Sequence, residues 1–393
     1  MTDALSLQAD WNYPTAVRFG AGRVAELGAL CHEQGISRPL VVTDKGTSSL
    51  PFTRAILDGL VQAGLQASLF DGVGGNPNGE QVAAGVEVFR EGRHDGVVAL
   101  GGGSGLDAGK AIALMAGQDR PLWDFEDVGD NWRQVDVAGM RPCIAIPTTA
   151  GTGSEVGRAS VIIDSDRHEK KIIFHPRMMP VAVILDPELT FGLPKDLTAA
   201  TGIDAFTHCF EAFCAPGFHP MADGIALNGM AEIKQWLPVA YEHGGNVEAR
   251  GRMLAAATMG AVAFQKGLGA VHAMSHPVGA VYGAHHGLTN AVFLPYVMQR
   301  NRSAIADRMT VLSSVLGLEK SGFDAVFDWL IEFRAGLGIP NDAKPLGLEE
   351  HHVAMLAEAA AADPSAGGNP VALTVADYAA LFKAALAGTF EAL

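Results

Sequence analysis

The 393-residue sequence is short of cysteine, with Cys31, Cys143, Cys209 and Cys214 as its only four. They form no CxxC pair and no regular framework, which excludes a disulfide-stapled secreted fold and a cysteine-ligated structural zinc site. Basic residues are also scarce: 28 Lys and Arg stand against 43 Asp and Glu, for a net charge of −15. With no Lys or Arg run, nothing is suited to neutralising the phosphates of a nucleic acid or an anionic membrane surface. Long apolar runs are missing as well. The most apolar stretch, 253–264, covers only about half of the ~20 residues that a spanning helix requires, and reads as a buried core helix. The opening segment MTDALSLQADWNY has neither a basic n-region nor an apolar h-region, so no signal peptide is expected and the cytoplasm is the default compartment.

Glycine is in excess. Its 47 residues make up about 12% of the chain against a usual ~7%, and many are clustered, as in GGGSG at 101–105 and AGTG at 150–153. At 48% hydrophobic and 18% charged, the rest of the composition is that of a folded chain of two to three domains.

Short β-branched runs at 39–43, 67–70, 96–100, 143–147, 159–163 and 181–185 alternate with helical patterns such as 52–63 and 80–91. This alternation predicts a mainly parallel α/β sheet. From Lys195 onward no strand is expected, only Ala- and Leu-rich helices broken by Gly and Pro, among them 253–264, 304–316, 324–335 and 351–361. The expected domains are therefore an α/β half over 1–194 and an all-helical half over 195–393, with 363–370 as a surface loop.

The segment GVVALGGGSGLDAGK places a buried strand before a glycine turn and a helix that starts near Ser104. Glycine lets backbone N–H groups crowd against a phosphate at such a helix start, where the dipole adds about half a positive charge. A plain tight strand–helix turn would read the same way. Asp44, closing the strand VVTD, could accept from a ribose diol and repel a 2′-phosphate, which favours NAD over NADP, or it could be a turn residue. The hydroxyl-rich PTTAGTGSE at 147–155 either lines a nucleotide groove or forms a long turn.

Asp204 and His208 stand four apart, as do His272 and His276, and His286 follows in GAHHGLTN. Spacing of i, i+4 puts each pair on one helix face. Asp204, His208, His272 and His286 form a one-carboxylate, three-imidazole set suited to Fe²⁺ or Zn²⁺. His32, His94, His168, His243 and His351 are expected to be exposed.

With these blocks assembled, the sequence resembles the iron-containing (group III) alcohol dehydrogenases. The resemblance is carried by GGGSGLDAGK at 101–110, PTTAGTGSE at 147–155, DAFTHCFEAF at 204–213 and GAVHAMSHPVGAVYGAHHGLTNAVFLP at 269–295, and it runs over nearly the whole chain. It implies a dinucleotide-binding α/β domain, a helical domain and a divalent metal, usually Fe²⁺, on the same four residues. It also implies NAD contacts at Asp44, Asn76, Gly102, Gly103, Ser104, Thr148, Thr149, Lys171 and Leu185, with Asp107 capping the phosphate loop. His276 would relay the proton, and Gly157, Phe264 and His285 would line the substrate pocket. Two departures bear on substrate: Gly157 stands where many members carry Thr, and His285 where many carry Pro. A substrate with an extra hydroxyl or acidic group suits both changes. The expected activity is hydride transfer between a small alcohol and NAD by a homodimer or higher homo-oligomer. The alternatives are a metal- and NAD-dependent lyase of the dehydroquinate synthase type and a metallohydrolase.

Overall fold

The structure is a computed structural model that describes residues 9–11, 14–167 and 169–390. His168, expected to be exposed, lies outside the described residues. The described chain forms two compact units, one of residues up to Thr149 plus Gly153–Gly192, the other of Ala150–Thr152 plus the chain from Leu193 onward.

The first unit holds nine strands: β1 (Ala9–Trp11), β2 (Ala16–Phe19), β3 (Pro39–Asp44), β4 (Ser68–Val73), β5 (Gly96–Gly101), β6 (Cys143–Pro147), β7 (Ala159–Asp164), β8 (Glu169–Phe174) and β9 (Ala182–Leu185). Seven make one sheet in the order β1-β2-β9-β6-β5-β3-β4, parallel throughout except that β1 runs against β2. Central strands β5, β6 and β9 are buried along their whole length, as expected of parallel strands covered on both faces. The helices of this unit are α1 (Leu27–Glu33), α2 (Lys45–Ser48), α3 (Pro51–Gln62), α4 (Gly79–Glu91) and α5 (Gly103–Met115). Leu27 and Leu30 of α1 and Ile56 and Leu60 of α3 share a core with Val41, Val98, Ile144 and Ile184 of the sheet.

One strand expectation needs correction, and three observed strands have no counterpart among the expectations. The run at 159–163 lies outside the parallel sheet, in an antiparallel hairpin with β8. Its register pairs Ile162 with Lys171, and the charge-rich EKK opening of β8 hides that strand from a reading based on apolar runs. β1 and β2 are also absent from the expectations, being three and four residues long.

The second unit is helical, with no strand among the described residues: α6 (Lys195–Cys214), α7 (Pro220–Glu242), α8 (Val247–Ala263), α9 (Ala270–Tyr282), α10 (His286–Val315), α11 (Phe323–Gly336), α12 (Val353–Ala362) and α13 (Val375–Ala387). α6 is buried almost all round, from Thr198 to Cys214, which makes it the central helix of the unit. α10 extends well beyond the expected 304–316. It runs through Pro295, whose lost hydrogen bond and ring clash cost a helix about 3 kcal/mol. The continuous burial of Ala291–Met298 around that proline supplies packing that outweighs the cost. The stretch at 253–264, apart from Phe264, falls within the mostly buried α8, and no single described helix is long and apolar enough to cross a membrane.

His94 is buried, against expectation. Its Nδ1 lies 2.9 Å from the Arg38 carbonyl oxygen and its ring tilts against Phe89. The segment at 363–370 is no mere surface loop either: it winds into a 3-10 turn, and Asp363 and Asn369 at its ends point inward, Asn369 accepting from the backbone N–H of Ala270.

Candidate metal and cofactor sites

In the α/β unit the glycine loop joins β5 to α5. Gly101 has φ +141°, a conformation that side-chain-bearing residues avoid. A Cβ on Gly105 would stand 2.7 Å from the Leu100 carbonyl oxygen, so this glycine allows helix and strand to approach closely. No side chain caps α5, leaving the first backbone N–H groups of the helix, at Gly103 and Ser104, available to an anion. Ser104 Oγ donates to the Gly75 carbonyl at 2.7 Å, which ties the helix start to the loop that carries half-buried Asn76. Thr149 lies against Gly102, where a Cβ would stand 3.3 Å from its hydroxyl. Thr148, buried just beyond β6, and Leu185, the buried last residue of β9, lie at carboxyl ends of parallel strands, as does Asp44 on β3. The Asp44 carboxylate also caps α2, accepting from Thr47 N at 2.9 Å and Thr47 Oγ1 at 2.7 Å.

Two residues from the expected cofactor set have ion-pair and hydrogen-bond partners of their own. Asp107 does not cap the phosphate loop: it accepts from Ser154 Oγ at 2.5 Å and Val161 N at 2.9 Å and pairs with buried Lys110 at 3.1 Å. It lies a full turn into α5, makes no cap hydrogen bond there, and ties the helix to the 154–161 segment. Lys171 is buried on β8, with Nζ 3.2 Å from Glu126 and 3.3 Å from Asp164 and set over the Trp123 ring. Gly157 ends a short 3-10 turn, and a Cβ there would meet Lys110 Nζ at 3.6 Å.

In the helical unit, α6 supplies Asp204 and His208, α9 supplies His272 and His276, and His286 is the first residue of α10. The donor atoms of Asp204, His208, His272 and His286 all lie within 4.8 Å of one another. His208 Nε2 and His286 Nε2 each stand 3.8 Å from Asp204 Oδ1. Ligand bonds of about 2.1 Å in a tetrahedral shell would put donors ~3.4 Å apart, so the 3.8 Å pairs would close by about 0.4 Å and the widest by up to about 1.4 Å around a divalent ion. Close packing is possible because Gly287 lies where a Cβ would be 2.6 Å from the Ala200 carbonyl oxygen.

The donor chemistry fits a metal. Burial lowers the His208 pKa to about 4, against the pull of the Asp204 and Glu211 charges, so its lone pair is free near neutrality. At His272 burial also works downward, but the Glu211 charge and hydrogen bond and the Asp204 and Asp363 charges outweigh it and raise the pKa.

Sequence reading missed three residues here. Glu211, one turn beyond His208, accepts from His272 Nδ1 at 2.6 Å. Asn290, four after His286, places Nδ2 at 2.7 Å from Asp204 Oδ1 and at 3.1 Å from both His272 Nε2 and His286 Nε2. Both positions repeat the helical spacing of known candidates, a signal the sequence did contain. Asp363 carried no local signal; its Oδ2 lies 2.8 Å from His276 Nδ1, 87 residues away in sequence. Burial works to raise the Asp363 pKa, but the His276 charge and hydrogen bond and the Ser365 hydrogen bonds hold it below the ordinary value. The His276 ring stacks on His286 with centroids 5.6 Å apart.

Of the expected pocket residues, Phe264 meets the donor set, its ring standing edge-on to His208 at 5.1 Å. His285 is exposed, and its Nδ1 accepts from Leu288 N at 3.3 Å to cap α10. It lines a cavity of about 660 Å³ with Lys195, Ala200, Tyr241 and Leu288, and none of the four donors is on that wall.

Residues 14–187 match the family model "Iron-containing alcohol dehydrogenase", and residues 198–386 match "Fe-containing alcohol dehydrogenase family, C-terminal". The 4-hydroxybutyrate dehydrogenase of Cupriavidus necator is 39% identical over 380 residues, covering 93% of this chain and 97% of that protein. The NAD-dependent methanol dehydrogenase of Bacillus methanolicus is 36% identical over 380 residues, covering 95% and 98%. Among solved structures, 1,3-propanediol oxidoreductase superposes with a TM-score of 0.89 at 33% identity, covering 97% of this chain and all of that one.

Proposed function

Because this chain belongs to the iron-containing alcohol dehydrogenase family, and is thereby an oxidoreductase acting on CH–OH groups, we propose that it interconverts a short primary alcohol and its aldehyde with Fe²⁺ and NAD. The carrying observation is the set of four donors converging from three helices. In this reading 195–393 is the metal and substrate domain, with Asp204, His208, His272 and His286 as ligands, and 1–194 is the dinucleotide-binding domain. Those four ligands would hold an ion that supplies Lewis acidity toward the alcohol hydroxyl, and NAD bound by the α/β unit would supply the hydride acceptor.

The chain's own residues do the rest. The uncapped start of α5, at Gly102, Gly103 and Ser104, receives the pyrophosphate, with Asn76, Thr148, Thr149 and Leu185 around it. Asp44 accepts from the ribose diol and disfavours the extra phosphate of NADP. The role of Lys171 is to hold the β7–β8 hairpin against Glu126 through its ion pairs. Asp363 accepts from His276 Nδ1–H, which leaves Nε2 to take the hydroxyl proton as the hydride leaves and to return it in aldehyde reduction. Phe264 packs the ligand His208 and lines the substrate side. The 4-hydroxybutyrate, methanol and 1,3-propanediol of the relatives' names frame the substrate range: short primary alcohols, some carrying a second polar group. The four cysteines are free and buried, in keeping with a reducing, cytoplasmic setting, and a homo-oligomer is the expected assembly.

An NADH-absorbance panel of short alcohols, diols, hydroxy acids and their aldehydes tests the reading. Turnover on primary alcohols supports it; metal binding without redox turnover on any member favours the lyase or hydrolase alternatives. On the same panel Asp44→Asn keeps an oxygen to cap α2 but removes the charge, so the preference in kcat/KM for NAD over NADP should fall at least about tenfold. An unchanged ratio removes Asp44 from cofactor selection.

A further inference from the structure

Glu211 is a buried carboxylate in the helical unit, on the face of α6 that carries Asp204 and His208. Three donors converge on it. Its Oε2 accepts from Gly269 N at 2.9 Å and from His272 Nδ1 at 2.6 Å, and its Oε1 accepts from Val271 N at 2.7 Å. Helix α9 has no cap from its own N-cap residue, Gly269, so Glu211 supplies one from a neighbouring helix. Gly269 makes room for it: a Cβ there would stand 2.9 Å from Glu211 Oε1.

The third bond has a chemical consequence that the first two lack. A neutral imidazole carries one proton, and an anionic acceptor at Nδ1 draws the proton to that nitrogen. The lone pair is then on Nε2, the atom of His272 that faces Asn290 Nδ2 among the metal donors. In the opposite tautomer Nε2 would carry a hydrogen and could not ligate.

We propose that Glu211 is a positioning residue for the metal centre, fixing the His272 proton on Nδ1 and, through the first amides of α9, the direction in which Nε2 points. The inference rests on the metal-dependent reading. A role as helix cap alone would ask only for an acceptor at the α9 start, whereas this role asks for two oxygens held against three N–H groups. Glu211→Gln tests that difference: turned one way its NH₂ faces Val271 N, and turned the other way it faces both Gly269 N and His272 Nδ1.

The experiment labels histidine with ¹⁵N in the full-length protein, reads the His272 tautomer metal-free in alkaline buffer, and titrates Zn²⁺ and, under argon, Fe²⁺ against a competing chelator. The parent chain should show His272 with the proton on Nδ1. In Glu211→Gln the proton should move wholly or partly to Nε2, with metal affinity falling about 10–100-fold at unchanged circular dichroism. Gly269→Ala, which crowds Oε1 without altering charge, should weaken metal binding in the same direction and serves as the test if Glu211→Gln does not fold. A parent chain with the His272 proton on Nε2 overturns the proposal. So does Glu211→Ala, which leaves His272 Nδ1 without this acceptor, if it melts earlier while its tautomer and metal affinity match the parent, since Glu211 is then a cap and no more. If the parent binds neither ion, the metal reading itself fails, and the metal-free tautomer comparison still decides whether Glu211 governs His272.

Discussion

His272→Ala, and equally His286→Ala, should leave a folded chain that has lost its metal and its alcohol turnover together. Each removes one of four donors. The two retained imidazoles and the carboxylate make an incomplete shell, and affinity should fall by more than the 10–100-fold that losing an outer partner of a ligand costs. His272 is 1% exposed, so its loss also opens a cavity on α9. The variant should melt lower, by the few kcal/mol usual for truncating a large buried side chain, yet remain a single cooperative fold. The comparison of interest is metal per chain by elemental analysis against turnover in the same preparation. Either variant keeping both full metal content and full turnover would remove its histidine from the ligand set.

His276→Ala should behave in the opposite way, with metal retained and kcat lost. Its imidazole stacks on His286 but lies outside the group of four donors, and its Nδ1 is committed to Asp363. General acid–base groups contribute typically about 10²–10⁴-fold, and the drop in kcat should fall in that range at one metal per chain. Asp363→Asn should give a smaller loss in kcat, because the amide can still accept from Nδ1–H without stabilising the imidazolium. Metal loss in His276→Ala would make it a fifth ligand, and unchanged kcat would route the proton elsewhere.

Residues whose partners lie one or two turns away along the same helix were legible from sequence. Asp204 with His208, and His272 with His276, announce themselves by i, i+4 spacing, and β3, β5 and β6 by β-branched runs between glycines and helices. Glu211 and Asn290 follow the same rule and were within reach, since each sits one turn from a ligand. Asp363 was not: its meeting with His276 spans 87 residues, and DPSAGGNP has the composition of any solvated turn. Lys171 and Asp107 show the converse. Asp107 sits within a motif and Lys171 at a position the resemblance assigns to NAD, but the 154–161 segment and the hairpin register give their charges partners that a local pattern cannot foresee. His94 likewise looked exposed amid charged neighbours, and is buried by a carbonyl 56 residues away.

The most direct test of the account is a metal titration of activity. The chain is stripped by chelation, reloaded with Fe²⁺ under argon, and assayed for NADH formation from a short primary alcohol at each increment. Metal-dependent hydride transfer predicts no turnover in the stripped protein and a rise that saturates at one ion per chain. Full NADH formation by the stripped protein, or one tightly bound ion with no turnover on any alcohol or aldehyde, would contradict it.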